Sequence, residues 1–455
     1  MRDRVQTRTV AAYKQSCLDI CAQRLGAYGS MDQIGAAEDR INAYPHLERL
    51  EEPRGVVLLD PAELSQAQLA RAKECVLEGR FLAEHAAAGE ATRLKLGTKY
   101  LINPKKHLTT EMCAADLAAE EGREVGLTEF LERSNGVRPE DLPDLSLGAR
   151  HMLQMAFDLG RLAGQEGRNP ETVRQSQWMV VILNESSAKE ILKDFSQSNF
   201  FGFLAEQVLF MVQLAFEGIS LAGGRFTFDP QAKKRLHNHG QMAMQQTAEE
   251  QIFRLAPEGG LERFYLSPEE MAGVLGRMED KLSYNIEDLA YLTGALDLEA
   301  LALALSLGDE GKRMVMEIVA NNPLKPQKGG LAAWDAGLER NVMIESFQLL
   351  GVKNEEITHL NRNFNHYPKP QAAFEALASG LPMPIAVKEG TLYFQPVQGD
   401  LNFLLPTAFV QRKVLGPISN WKSAATTPPA LAAMADQDRQ PGFIDFAQEI
   451  LARKI

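Results

Sequence analysis

The sequence predicts an α/β protein, a mixed and mostly parallel sheet with helices on both faces, of Rossmann-like type. Three observations predict it. Trp178-Met179-Val180-Val181-Ile182-Leu183 and Val208-Leu209-Phe210-Met211-Val212-Gln213 are apolar runs of strand length, the pattern of strands buried on both faces. Helical patterns lie between such runs, and strand, turn and helix in alternation point to a parallel sheet covered by helices. The stretch Phe81 to Pro104, FLAEHAAAGEATRLKLGTKYLINP, reads as a strand that breaks into small residues and then into Thr92, Arg93, Lys95 and Lys99. A small-residue turn lets backbone N–H groups approach a ligand, and cations just past it suit phosphate oxygens. Taken alone, the same stretch also fits a surface loop followed by basic residues.

The chain has 455 residues, 45% of them hydrophobic, enough for a full core and for more than one domain. The expected division is a helical extension over 1–58, a main domain over 59–400, and a short segment over 401–455 that carries Lys422, with no large C-terminal β-helix domain. A net charge of −12 argues against nucleic acid or an anionic membrane as partner, while leaving room for a local basic pocket. Cys17, Cys21, Cys75 and Cys113 form no Cys-x-x-Cys pair, which disfavours a zinc ribbon or thioredoxin site; Cys17 and Cys21 share a helical face and read as packing. MRDRVQTRTV lacks a signal-peptide core and no apolar run is long enough to span a bilayer. A soluble, cytoplasmic protein with reduced thiols is therefore expected.

Along the chain, residues up to about 58 read as amphipathic helices broken near Gly26-Ala27-Tyr28-Gly29 and Tyr44-Pro45. Asp60-Pro61-Ala62-Glu63 is a helix start, with Asp as cap and Pro at the first position, and predicts a helix to about Glu78. Helices are expected around Leu127 to Leu131, from Ser146 to about Ala163, and from about Ala188 to Phe195. Residues 220–260 are polar and glycine-containing and include a turn at His237-Asn238-His239-Gly240. Ser267-Pro268-Glu269-Glu270 is a capping box that opens a helix to about Lys281, followed by an extended Leu282 to Tyr291 holding Glu287 and Asp288. Asp297 caps an apolar helix that stops at Gly308. Arg313 to Val319 and Asn341 to Gln348 read as strands, Gln371 to Ala378 as a helix, and Met383 to Pro396 as a hairpin about Lys388-Glu389-Gly390.

Several segments carry a family resemblance. They are Ala88-Gly89-Glu90-Ala91-Thr92-Arg93-Leu94-Lys95 with Thr98-Lys99, Asn199 to Gln213 (NFFGFLAEQVLFMVQ), Asn285 to Leu289, Asn341 to Glu345, Leu381 to Lys388, and Ser419 to Ala424. In order and content these resemble the UDP-sugar pyrophosphorylase family, the UTP–glucose-1-phosphate uridylyltransferases and UDP-N-acetylglucosamine pyrophosphorylases, over roughly residues 60–440. The match of NFFGF…VLFMVQ in residues and spacing is the most specific. Two glycines of the family's phosphate loop are Ala88 and Ala91 here, the glycine after Leu is Lys95, and the spacer to Lys99 is one residue shorter. If the loop demanded positive φ at those alanines, each would cost about 1 kcal/mol or more.

The resemblance implies a nucleotide-diphospho-sugar transferase (GT-A) fold and a UTP-dependent sugar-1-phosphate uridylyltransferase. In that reaction a sugar-phosphate oxygen attacks the α-phosphorus of UTP, giving UDP-sugar and pyrophosphate. The attacking group is already an anion, so positioning and charge neutralisation suffice without a general base. By resemblance, Arg93 and Lys99 hold the triphosphate beside a cradle of Ala88, Gly89 and Thr92, and Lys422 lies between the phosphates. Gln213, His239 and Gly240 are expected at uracil, Glu345 and Asn363 among the substrate contacts, with Asn365 nearby, and Glu287 or Asp288 as the ligand of Mg2+. Glucose 1-phosphate and N-acetylglucosamine 1-phosphate are the leading sugars. The rivals are a degenerate member that binds a nucleotide sugar without turnover and a structural or partner-binding protein that keeps only the fold. A nuclease reading of His237-Asn238-His239 fails on spacing and on charge, and a zinc reading lacks a third ligand nearby. Trp421 reads as packing.

Overall fold

The computed structural model describes residues 9–452 apart from 92–93, 257–259, 323, 325, 328 and 415–419, with the backbone alone at 363 and 364. A 13-stranded mixed sheet runs through the molecule in the order Arg263–Tyr265, Ile252–Leu255, Val208–Gln213, Trp178–Asn184, Phe81–Ala86, Asp280–Asn285, His359–Pro368, Met314–Ala320, Thr407–Arg412 and Val57–Leu59, with three further strands off this path. Its middle strands, from Val208–Gln213 to Asp280–Asn285, are mutually parallel.

Alternate residues of these strands enter two different apolar clusters. Ala83, Val181 and Phe210 pack with residues of the helices Gln66–Leu77, Leu147–Gln165 and Ala188–Gln197; Leu82, Val180 and Leu209 pack with those of Pro268–Gly276. Both faces are covered, which is why the runs show no polar alternation. The α/β class and its mixed sheet are those expected, and the helix Gln371–Ala378 and the hairpin Ile385–Lys388 with Thr391–Phe394 lie where the sequence places them. That hairpin turns through Glu389 (φ 53°) and Gly390 (φ 76°), the left-handed pair its two-residue loop requires. All four cysteines are buried and free, and no described helix is long and apolar enough to cross a membrane.

Other elements differ from the sequence reading for identifiable reasons. The segment before residue 58 forms the helices Val10–Leu25, Met31–Ala36 and Glu38–Asn42, but also supplies strands: Leu50–Glu51 pairs with Leu331–Asp335, and Val57–Leu59 with Thr407–Arg412. Asp60 caps only the 3-10 turn Pro61–Glu63; the helix starts at Gln66 under a capping box of Ser65 and Gln68. The helix opened by Ser267 ends at Gly276, because Asp280 and Lys281 belong to the strand, where Lys281 Nζ meets the buried Glu84 carboxylate at 2.9 Å. That strand ends at Asn285, and Leu289–Leu292 is a 3-10 turn. Arg340–Ile344 stops short of Glu345, and Ser346–Gln348 is again a 3-10 turn. The polar stretch 220–260 contains strands and the helix Asn238–Gln245.

The long strand His359–Pro368, antiparallel between Asp280–Asn285 and Met314–Ala320, has no counterpart among the predicted elements. Its sequence HLNRNFNHYP is polar, and its charged side chains meet opposite charges in place: His366 Nδ1 lies 2.6 Å from Asp280 Oδ2, and Arg362 is paired with Glu317. Buried charges are tolerated when paired in this way.

Candidate active site

The carboxyl ends of the parallel strands converge on one edge of the sheet, the place where open α/β sheets bind ligands. After Phe81–Ala86 the chain enters the loop of small residues. Ala87 N donates to Ile182 O at 2.9 Å, and Asn184 Nδ2, at the end of the next strand, donates to Ala88 O at 2.8 Å. Glu90 and Thr98 then form an antiparallel bridge, with Ala91 N donating to Gly97 O at 2.6 Å and Lys99 N to Gly89 O at 3.0 Å. Among the described residues, the amides of Ala88 and Gly89 take no part in this pairing.

Among the described residues of the loop, the positive φ angles fall at Lys95 (55°) and Gly97 (76°), not at Ala88 or Ala91. The two alanines therefore carry no left-handed penalty. The strain of about 1 kcal/mol sits at Lys95, where the family has glycine. Thr92 and Arg93 lie outside the described residues.

Lys99 begins the 3-10 turn Lys99–Leu101 and is buried under the loop: a Cβ placed on Gly89 would lie 3.8 Å from its Cδ. Its ammonium pairs with the carboxylate of Glu287, and Lys422 Nζ reaches the other oxygen of that carboxylate at 2.7 Å. The backbone makes this possible. Trp421 N donates to Glu287 O at 3.2 Å, and Asp288 bridges to Asn420, so the C-terminal segment lies along residues 285–288. Trp421 itself packs, with Nε1 donating to Thr427 Oγ1 at 3.0 Å. Asp288 accepts from Asn285 N at 3.3 Å; burial pushes its carboxyl up to about 6, against the pull of Lys422, that backbone bond, Arg362 and Lys99. Lys99, Lys422, Glu287 and Asp288 thus form one cluster. Glu287 is held by two lysines, while Asp288 accepts from backbone and faces cations without a direct ion pair to either lysine among the described contacts.

On the other side of the loop, Gln213 ends its strand in register with Asn184. It is buried, and its Nε2 donates to Asn238 O at 2.9 Å and to Gln241 Oε1 at 3.0 Å. His239 and Gly240, expected in a turn, lie in the first turn of the helix Asn238–Gln245. Asn238, at φ 64°, redirects the chain into it. His239 Nδ1 accepts from Gln398 N at 2.9 Å, and Gly240 N donates to Pro396 O at 2.9 Å. A Cβ on Gly240 would fall 2.4–2.5 Å from the backbone of Pro396 and Val397, so only glycine permits this approach. Gly240→Ala is expected to destabilise the protein by roughly 1–3 kcal/mol, as overpacking against rigid backbone does, read as a lowered thermal midpoint; an unchanged midpoint would show that this contact is loose. His237 belongs to the core: its Nδ1 meets Tyr13 OH at 2.9 Å and its ring lies 4.9 Å from Phe216.

Glu345 sits across the same Gln398-Gly399 segment, its Oε1 3.8 Å from where a Gly399 Cβ would be, and burial pushes its carboxyl up. Asn363 lies on the His359–Pro368 strand within the stretch where the register with Met314–Ala320 shifts. Beyond Asp288 a cavity of about 860 Å³ opens, lined by Tyr291, Thr293, Arg362, Arg412 and Asn420 among others. Asn184, Gln398 and Arg362 were not singled out from sequence. An amide ending a buried apolar strand was the available signal for Asn184; the other two depend on the fold.

No protein-family model and no curated protein matches the sequence. Solved structures do. The uridine diphosphate N-acetylglucosamine pyrophosphorylase of Trypanosoma brucei, in complex with an inhibitor, superposes with a TM-score of 0.61 at 14% identity over 92% of this chain and 79% of that one. The UDP-glucose pyrophosphorylase of Leishmania major, known in open and closed structures, gives 0.52 at 12% identity over 89% and 72%. A point mutant of that enzyme in complex with UDP-glucose gives 0.52 at 13% over 93% and 76%. The chain has a nucleotide-diphospho-sugar transferase fold. Within that class its architecture is that of the UDP-sugar pyrophosphorylases, the group the sequence motifs resemble.

Proposed function

We propose that the protein is a UTP-dependent sugar-1-phosphate uridylyltransferase. The observation that carries this is the order of groups along the carboxyl edge of the sheet. Gln213 stands at one strand end, the 87–91 loop two strands away, and the Lys99–Glu287–Lys422 cluster with Asp288 one strand further. With strands about 4.8 Å apart, base reader and phosphate loop are separated by roughly 10 Å. A base, a triphosphate and a second phosphate fit that row in sequence.

In this reading Gln213 and the His239-Gly240 turn take the uracil, and Lys99, with Arg93, the triphosphate. Lys422 meets the phosphates where the two substrates join. Glu345 and Asn363 lie on the sugar side. A sugar-phosphate oxygen bonds to the α-phosphorus while the bond from that phosphorus to the bridging oxygen of pyrophosphate breaks. The attacking oxygen carries its own negative charge, so the residues position and neutralise. Asp288, with Glu287 beside it, would hold Mg2+. Hard carboxylate oxygens suit that ion, and it ordinarily completes its shell from substrate phosphates and water, so one or two acids suffice. When bound, the ion neutralises triphosphate charge.

Pyrophosphate release, measured for a panel of sugar 1-phosphates at fixed UTP with Mg2+, tests the assignment. Turnover with glucose 1-phosphate or N-acetylglucosamine 1-phosphate is expected, and UTP should be preferred over ATP, CTP and dTTP. Equal binding of ATP and UTP removes the uridylyl reading. UTP binding without release for any sugar leaves a nucleotide-binding protein without turnover.

A further inference from the structure

Behind Gln213 stand three more glutamines. Gln241 Nε2 donates to Gln245 Oε1 at 2.8 Å, and Gln245 Nε2 to Gln251 Oε1 at 2.7 Å, so with Gln213 donating to Gln241 the four amides form one head-to-tail relay. We propose that this relay fixes the orientation of the Gln213 amide and thereby makes the base site selective for uracil over cytosine. The inference rests on the reading that Gln213 meets the base.

Backbone groups pin the direction of the relay. The amide of Gln213 must turn its nitrogen to the carbonyl of Asn238. Gln241 donates to Leu214 O at 3.1 Å and accepts from His237 N at 3.2 Å. Gln245 donates to Val212 O at 2.7 Å and accepts from Leu214 N at 3.1 Å. Backbone carbonyls only accept and backbone amides only donate, so each of the three amides has one permitted orientation. Flipping Gln213 alone would set its oxygen against Asn238 O and Gln241 Oε1. Flipping all would oppose acceptors at Leu214 and Val212 and donors at His237 and Leu214. Gln241 and Gln245 are buried, so water does not relieve such clashes.

Both amide protons of Gln213 are therefore taken by the protein, and Oε1 is the polar atom it can offer a ligand. An acceptor matches the N3–H of uracil. The same position in cytosine is a lone pair, and two acceptors repel. A site built around one hydrogen bond rejects the analogue that cannot make it. Gln241 and Gln245 are positioning residues, since neither needs to touch the base.

The test is calorimetric binding of UMP, CMP and AMP to the full chain, which reads selectivity apart from turnover. The wild type is expected to bind UMP at least about tenfold more tightly than CMP. Gln241→Met, close in shape but without an amide, should reduce that ratio about five- to tenfold while AMP binding stays as it was. Gln245→Met, one step further back, should reduce the ratio by a smaller factor, and carries the test if Gln241→Met does not fold. A folded Gln241→Met or Gln245→Met with the wild-type ratio overturns the relay and leaves the base assignment standing. A wild type that binds AMP as well as UMP, or a Gln213→Ala variant that keeps the UMP preference, overturns the base assignment and the relay with it.

Discussion

For the proposed uridylyl transfer, replacing Lys99 by methionine is expected to lower turnover of UTP with a sugar 1-phosphate by roughly 10²–10³-fold, the range found when one preorganised electrostatic contact is removed. Lys99 is held by the Glu287 carboxylate directly beneath Gly89, in the loop proposed to cradle the phosphates. A charge fixed there needs no reorganisation when negative charge grows on the departing pyrophosphate. Such a contact is stronger in the transition state than with bound UTP, so the loss should fall on kcat as well as on KM. Stability should suffer less than buried ion pairs usually do. Removing one partner of an isolated pair costs about 3–5 kcal/mol because a buried charge is left alone. Here Glu287 keeps Lys422 at 2.7 Å, so a cost of about 1–3 kcal/mol is expected. Lys99→Arg should recover little, because the planar guanidinium has to fit where a Lys side chain packs under Gly89. Pyrophosphate release and thermal melts of the same preparations check both halves. Wild-type turnover in a folded Lys99→Met protein would take the cluster out of the chemistry.

What could be read from the sequence follows from which physical signals are local. The strands Trp178–Asn184 and Val208–Gln213 announce themselves because burial on both faces leaves an uninterrupted apolar run. His359–Pro368 is as central, yet Asn361, Arg362, Asn365 and His366 interrupt any apolar strand pattern, and only distant partners such as Glu317 and Asp280 make it a strand. Asn199, Phe200 and Phe201 are left-handed at φ 47°, 49° and 53°, which asparagine tolerates and phenylalanine disfavours. Burial of Phe200 and Phe201 against Phe195 offsets that strain, and no propensity reveals it. Lys99, Glu287 and Lys422, which the structure brings together, could each be picked out from a motif as candidates. That two lysines share one carboxylate could not, because the contact depends on how the C-terminal segment lies against residues 285–288. The turn expected at His239-Gly240 is the first turn of a helix, and the close approach of Gly240 to Pro396 that accompanies it involves a distant part of the chain.

Stability is expected to fall as pH drops from 6.5 towards 4.5. His85, His151 and His237 are at most 1% exposed, and burial holds His85 and His237 down at about 3 and His151 at about 4. In the unfolded chain each takes a proton near pH 6.5, which the folded protein refuses until far lower. The unfolded state then binds more protons, so stability present above pH 6.5 is lost on acidification, at about 1.4 kcal/mol per pH unit for each histidine once its unfolded form is protonated. Asp194 and Asp288 act in the opposite sense. Burial pushes both up to about 6, so below that pH the folded state holds protons that the unfolded carboxylates release, down to their ordinary range. His239, which burial also holds at about 4, adds to the loss, and Asp158, Glu345 and His366, each raised, oppose it; the loss is steepest just above pH 6, before the aspartates respond. His237 isolates the effect. Its Nδ1 meets Tyr13 OH and its Nε2 has no partner among the described residues, so a charged ring there has no counter-ion, and it lies outside the proposed chemistry. His237→Gln keeps a polar partner for Tyr13 and removes the titration. Urea midpoints between pH 7.5 and 4.5 should therefore decline less steeply in the variant, by about 1.4 kcal/mol per pH unit of unfolding free energy below pH 6.5. Parallel curves for the two proteins would show that His237 is protonated in the fold, and that a cation can be held between Tyr13 and Phe216 after all.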